Sequence, residues 1–146
     1  MTTRTAPRLL AVDDEPEILA EVAGYLRRRG ELVKTASSCE QALRALGDEA
    51  QPIDVLISDV RLQDGSGIEL IRWARSRLGD DFPCILITGH LDQAGLGDLF
   101  ENSAVSLIHK PFSLAAFYRE VRAACTTARQ SNPMLAFADL AGGRHE

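Results

Sequence analysis

No apolar stretch in this sequence approaches the ~20 residues needed to cross a bilayer, and Met1 to Pro7 lack the apolar core of a signal peptide. Cysteine is scarce. Cys39, Cys84 and Cys125 are widely spaced, odd in number and set in apolar surroundings, which excludes a disulfide framework or a thiolate metal site and leaves reduced core thiols. Positive charge is short as well: 16 Lys and Arg stand against 21 Asp and Glu, for a net charge of −5. A free-standing nucleic-acid binder would carry a basic surplus, so direct nucleic-acid binding is not expected. Internal repeats and low-complexity tracts are missing. These absences point to a cytoplasmic protein with no membrane association. The 146 residues, 45% hydrophobic and 25% charged, suffice for one domain with a sizeable core and little more.

Within that domain, strand and helix patterns alternate five times. Arg8 to Val12 reads as a short apolar strand, followed by a helix from Glu15 with Ile18, Leu19, Val22 and Leu26 on one face. Pro16 suits its first turn and Gly30 its stop. Leu32 to Ala36 is a second strand, and the Ser37/Glu40 spacing fits a capping box for a helix turning Cys39, Ala42, Leu43 and Leu46 inward. Ile53 to Ser58 is the third strand. A loop, Asp64 to Gly67, leads to a helix carrying Ile68, Ile71, Ala74 and Leu78. Cys84 to Ile87 and Val105 to Ile108 are the fourth and fifth strands. Between them Leu91–Asn102 is expected to be a marginal helix, because Gly95 and Gly97 each cost ~1 kcal/mol relative to Ala. Ser113 can cap a last helix bearing Leu114, Phe117, Val121 and Ala124 that ends near Gln130. Residues 1–7 read as a flexible lead, 8–130 as the domain, and 131–146 as a tail or truncated linker.

Continuous apolar strands separated by helices imply a parallel sheet covered on both faces, and right-handed crossovers make it doubly wound. Sites in such sheets form beyond the carboxyl ends of the strands. Asp13 and Asp14, Asp59, Thr88 and Lys110 all stand at such ends. Each alone has a plain reading: a turn-forming Asp, a helix cap, a surface lysine. Together they make one site. Carboxylates ~5 Å apart repel by roughly 3 kcal/mol per pair at an effective dielectric of 20, so the cluster requires a proton or a cation. An oxygen-rich, thiol-free set suits Mg²⁺, with Mn²⁺ as a substitute. Asp59 is the expected covalent phosphate acceptor, Lys110 its fixed positive partner, and Thr88 a donor to phosphate oxygens.

The motifs Val12-Asp13-Asp14-Glu15-Pro16, Ile57-Ser58-Asp59-Val60 with Gly65, Ile87-Thr88-Gly89 and His109-Lys110-Pro111-Phe112 resemble those of the receiver domain of bacterial two-component response regulators, over roughly residues 8–128. The resemblance implies a CheY-like, flavodoxin-like sheet of strand order 2-1-3-4-5 with five helices. It implies that Asp59 takes a phosphoryl group from the phosphohistidine of a sensor histidine kinase or phosphotransfer protein. It further implies Mg²⁺ held by Asp14 directly, by Asp13 mostly through water, by Asp59, and by the backbone carbonyl of Arg61. Thr88 and Lys110 would contact the phosphoryl oxygens, and the Lys110–Pro111 bond would be cis. Such a protein is a signalling switch that catalyses only its own phosphorylation and dephosphorylation, not an enzyme of metabolic turnover. Leu107 departs from the Tyr or Phe that receivers often carry there. His90 and Arg61 fall where the family tunes phosphate lifetime.

Two other readings compete. An aspartate-nucleophile small-molecule phosphatase expects Asp-x-Asp on its first strand, where this chain has Asp-Asp-Glu. A pseudo-receiver used only for protein interaction would not need the complete acidic set. No output motif follows residue 130, so the chain reads as a stand-alone receiver or the first part of a longer protein. The expected partner surface for an output protein or domain is Leu91–Asn102 with the fifth strand and the last helix. A second copy of the chain, giving a homodimer, is a further candidate partner.

Overall fold

The computed structural model describes residues 6–89 and 104–135. In chain order the elements are β1 (Arg8–Val12), α1 (Pro16–Arg28), β2 (Leu32–Ala36), α2 (Cys39–Leu46), β3 (Val55–Asp59), β4 (Arg61–Leu62), β5 (Gly65–Ser66), α3 (Gly67–Leu78), β6 (Cys84–Thr88), β7 (Val105–His109) and α4 (Leu114–Ser131). Five strands form one sheet in the order β2-β1-β3-β6-β7, every neighbouring pair parallel. With the two-residue β4–β5 ladder set aside, this is the 2-1-3-4-5 order of a flavodoxin-like sheet. Four helices lie among the described residues; the expected fifth, Leu91–Asn102, falls outside them.

The period of two along each strand divides the core. Leu10, Val12, Leu56 and Leu86 face α2 and α3, packing with Ala42, Leu46, Leu70 and Ile71. Leu9, Val55, Ile57, Ile85 and Ile87 face α1 and α4, packing with Val22, Leu26, Phe117 and Val121. The central strand β3 is buried along its whole length, as a parallel strand covered on both faces must be. The chain leaves β1 toward β2 on one side and later returns as β3 on the other. The order therefore reverses between β1 and β3, and the crevice beyond their carboxyl ends is where such a sheet binds its ligand. Asp13 and Asp59 flank it.

Several local expectations shift. The cap of α2 is Ser38, whose hydroxyl accepts the Gln41 N–H at 3.1 Å, not Ser37 paired with Glu40. Gln41 instead reaches back to the Ser37 N–H at 2.9 Å. Leu43 and Leu78 are 36% and 44% exposed, because Ala42, Ala45 and Leu46 already fill the inner stripe of α2 and Leu78 ends α3. Ser113 caps α4 through the Ala116 N–H at 3.0 Å, as expected. Beyond α4, Leu135 is buried against the α1–α4 side of the core. All three cysteines are free, with Cys84 and Cys125 buried and Cys39 half-buried; burial pushes the thiols of Cys84 and Cys125 up to about 12.

Candidate phosphoacceptor site

The site is assembled from strand ends. Asp59 is the last residue of β3 and is 8% exposed. Its neighbour's amide, Val60 N–H, bonds the Ile87 carbonyl at 2.9 Å, which ties the exit of β3 to that of β6. At the end of β7 the Lys110 N–H bonds the Thr88 carbonyl at 2.8 Å, and this places the ammonium over the same crevice. Lys110 Nζ lies 2.8 Å from Asp59 Oδ1. The Lys110–Pro111 peptide is cis. Burial works to lower the pKa of Lys110, but the hydrogen bond and charge of Asp59, with Asp13 and Glu15 behind it, prevail and hold the ammonium above its ordinary value.

Asp13 closes the other side. It is 8% exposed, its N–H is held by the Ala36 carbonyl at 3.2 Å, and its Oδ1 accepts the Glu15 N–H at 2.9 Å. That turn ends β1 and starts α1. Burial raises the Asp13 carboxyl above its usual 3.8; the Glu15 N–H opposes the shift, while the charge of Asp59 adds to it and Lys110 offsets part. Asp13, Asp59 and Lys110 are thus within electrostatic reach of one another. Asp14 follows, half-buried. Thr88 is fully buried and donates its hydroxyl to the Gly89 carbonyl at 2.8 Å. Arg61 is exposed and opens the β4–β5 ladder opposite Ser66. His90 lies outside the described residues. Among the described residues no three His, Cys, Asp or Glu side chains converge as a metal cage.

The Asp13 shift has a sign that can be measured. The folded state holds the Asp13 proton more tightly than the unfolded chain does. Its contribution therefore favours folding below the unfolded pKa and is lost as pH rises through the higher folded value. At pH 7, without divalent cation, Asp13→Asn keeps the acceptor for Glu15 N–H and removes the buried charge. The variant is expected to melt at a higher temperature than the parent at pH 7, with the gap closing below pH 4. A lower melting temperature at pH 7 would contradict the assigned burial cost.

Three residues in the stretch around Asp59 and the loop after it were not singled out for these contacts by their local pattern. Ser58 is fully buried and donates its hydroxyl to the Asp59 carbonyl at 2.8 Å. Gly67 begins α3 so close to β3 that a Cβ there would overlap the Asp59 carbonyl oxygen and stand 2.7 Å from Ser58 Oγ. Asp64, in the turn between β4 and β5, accepts the N–H groups of Cys39 and Glu40 at 2.8 and 3.1 Å, so the loop after Asp59 holds the start of α2. The Cys39 N–H keeps the Asp64 carboxyl below its usual value. No short-range signal links residues 25 positions apart; a glycine where the helix opens is the one local cue that marks such close approach. Overpacking a tight backbone contact costs roughly 1–3 kcal/mol. Gly67→Ala is expected to lose about that much in urea denaturation; an unchanged midpoint would show that α3 can move away freely.

With the geometry in hand, the comparisons with known proteins are consistent. The family profile described as "Response regulator receiver domain" matches residues 9–122. The transcriptional regulatory protein KdpE of Mycobacterium tuberculosis is 35% identical over 116 residues, 80% of this chain and 50% of that protein. The transcriptional regulatory protein FixJ of Rhizobium meliloti is 38% identical over 104 residues, 69% of this chain and 48% of that protein. The chain spans about half the length of these curated relatives. Among solved structures, a receiver domain protein from Clostridium thermocellum superposes with a TM-score of 0.75 at 26% identity, covering 86% of this chain and 99% of that one. A receiver protein from Pseudomonas putida gives 0.71 at 28% identity, covering 84% and 99%.

Proposed function

Since the chain belongs to the response regulator receiver domain family of two-component signalling modules, we propose that it is a switch driven by transfer of a phosphoryl group onto Asp59. The observation that carries this reading is the Asp59 carboxylate at the exit of β3, held 2.8 Å from the Lys110 ammonium with Asp13 beside it. A carboxylate oxygen attacks the phosphorus of the donor. The bond from phosphorus to the donor's phosphohistidine nitrogen breaks, and the imidazole leaves with the electron pair. An acyl phosphate on Asp59 results. Lys110 already faces the oxygen that Asp59 presents, and its charge offsets part of the ~−1.5 to −2 that a phosphoryl group adds. Thr88 serves a phosphoryl oxygen by turning its hydroxyl away from Gly89.

The donor set fits a divalent cation. Two buried acids face one ammonium, and burial already disfavours the Asp13 charge. Mg²⁺ typically takes one or two carboxylates and keeps several waters. Asp13, Asp14, Asp59 and the Arg61 carbonyl are the groups assigned to it, with Mn²⁺ able to substitute. When bound, the ion neutralises charge on the transferring phosphoryl group.

Residues 8–130 form the receiver in this reading, after a lead at 1–7; within the 131–146 tail or linker, Ser131 closes α4 and Leu135 packs on the α1–α4 side of the core. A sensor histidine kinase or phosphotransfer protein supplies the phosphoryl group. An output protein or domain reads it through β7 and α4 together with Leu91–Asn102, which lies outside the described residues. Leu107, half-buried against the α2–α3 side of the core, fills the place where many receivers carry a ring. In the described residues no helix is long and apolar enough to cross a membrane.

The test is incubation of the purified chain with acetyl phosphate, read by intact mass. The expected result is one added phosphoryl group with Mg²⁺ or Mn²⁺ and none in EDTA. Equal addition in EDTA would overturn the metal assignment, and no addition under any condition would overturn the switch.

A further inference from the structure

An open groove of about 650 Å³ runs along the outer side of β2, from the level of Arg8 to Thr35. Arg8, Arg27 and Lys34 line it, with Leu32 48% exposed among them. β2 is an edge strand of the five-stranded sheet, and all but its last residue are exposed or half-buried. The side-chain hydrogen bonds of the two arginines go to backbone: Arg8 to the Pro52 carbonyl at 3.0 Å and Arg27 to the Val33 carbonyl at 2.9 Å. Carbonyls orient a guanidinium without neutralising it, and its five donors leave others to offer. Among the described lining residues the one acid, Glu31, is engaged elsewhere. Its Oε2 accepts from Tyr118 OH at 2.7 Å and from Arg122 at 3.0 Å, in a side chain only 7% exposed.

A chain of net charge −5 therefore gathers three cations along an edge strand and turns the local acid inward. We propose that this groove docks an acidic, extended peptide segment of a partner protein. Its carboxylates meet Arg8, Arg27 and Lys34, and its backbone lies alongside β2. Strand edges recognise extended peptides through main-chain groups, with side chains setting specificity. Charge complementarity selects an acidic sequence and steers its approach. The peptide is favoured over a nucleic acid because an edge strand can pair with an extended main chain, and a nucleic acid has no such backbone to offer it. The groove is separate from the phosphoacceptor site, so this docking stands or falls independently of phosphorylation.

The experiment is fluorescence anisotropy of the full chain with a labelled Glu-rich peptide of about ten residues. A neutral Gly-Ser peptide and an oligothymidine of equal length serve as comparators. The Glu-rich peptide is expected to bind and to weaken with added NaCl, because exposed charges are screened. Lys34→Glu, and separately Arg27→Gln, are expected to weaken it at least about tenfold, while acetyl phosphate still modifies Lys34→Glu. Lys34→Gln, at an exposed position, gives the same direction with less disturbance if the reversal unfolds the chain. Absence of peptide binding, undiminished binding by the variants, or tighter binding of oligothymidine would each overturn the proposal.

Discussion

Asp59→Asn is expected to accept no phosphoryl group at all from acetyl phosphate while remaining folded. The amide keeps the shape and volume of the carboxylate, so β3 and its hydrogen bonds to β1 and β6 persist. What changes is chemistry. A neutral amide oxygen is a poor nucleophile and cannot form the acyl phosphate, so the loss is complete rather than graded. The ion pair with Lys110 also goes, but the lysine side chain is about one-third exposed and water can solvate it. Its contribution to stability is accordingly small. Intact mass of parent and variant, treated side by side with Mg²⁺, checks the prediction. Equal modification of the variant would place the phosphoryl group on some other residue and remove Asp59 from the account.

Phe117→Ala is expected to cost roughly 3–5 kcal/mol, the range for a large aromatic removed from a well-packed core. Phe117 is fully buried on α4, packs with the apolar residues of β3 and β6 on the α1–α4 side, and lies 5.6 Å from the ring of Phe112. Phe112 follows the Lys110–Pro111 pair, so the ring supports the segment that carries the ammonium. For a domain of this size the loss corresponds to a fall in melting temperature of roughly 10–15 °C. Urea denaturation with an unchanged slope measures it directly. Phe117→Leu keeps most of the apolar volume and is expected to lose much less. A loss below about 1 kcal/mol in Phe117→Ala would mean that α4 packs loosely, and that the Lys110 segment is positioned by β7 alone.

The parts of this molecule that were legible in its sequence are those where one local rule acts. An apolar run flanked by turn residues marks a buried parallel strand. The acids at the ends of β1 and β3, and the threonine and lysine at the ends of β6 and β7, followed from where those runs stop. The sheet order followed from strand–helix alternation and the resemblance together. Elsewhere two local signals compete or a distant partner decides. Ser37 and Ser38 are adjacent, and either can begin a capping box; the position of Asp64, which holds the Cys39 and Glu40 amides, accompanies the later start. Leu43 and Leu78 satisfy a helical period, but Ala42, Ala45 and Leu46 already fill the inner stripe of α2 and Leu78 ends α3. Ser58 bonds the carbonyl of its own neighbour Asp59, whereas the close approach of Gly67 to that carbonyl exists only because α3 returns against β3. The basic groove along β2 joins residues from α1, β1 and β2 and has no single-stretch signature; Arg27-Arg28-Arg29 reads from sequence as a solvated helix end.

The most direct measurement of the central claim is chemical trapping of the modified residue. An acyl phosphate on an aspartate is reduced by borohydride to homoserine, whereas phosphoesters and phosphohistidine are not converted to that product. After treatment with acetyl phosphate and Mg²⁺, then borohydride, peptide sequencing by tandem mass spectrometry should find homoserine at position 59 and aspartate retained at positions 13, 14 and 64. Homoserine at one of those other positions, or a chain that gains phosphate yet yields no homoserine, would contradict Asp59 as the covalent centre.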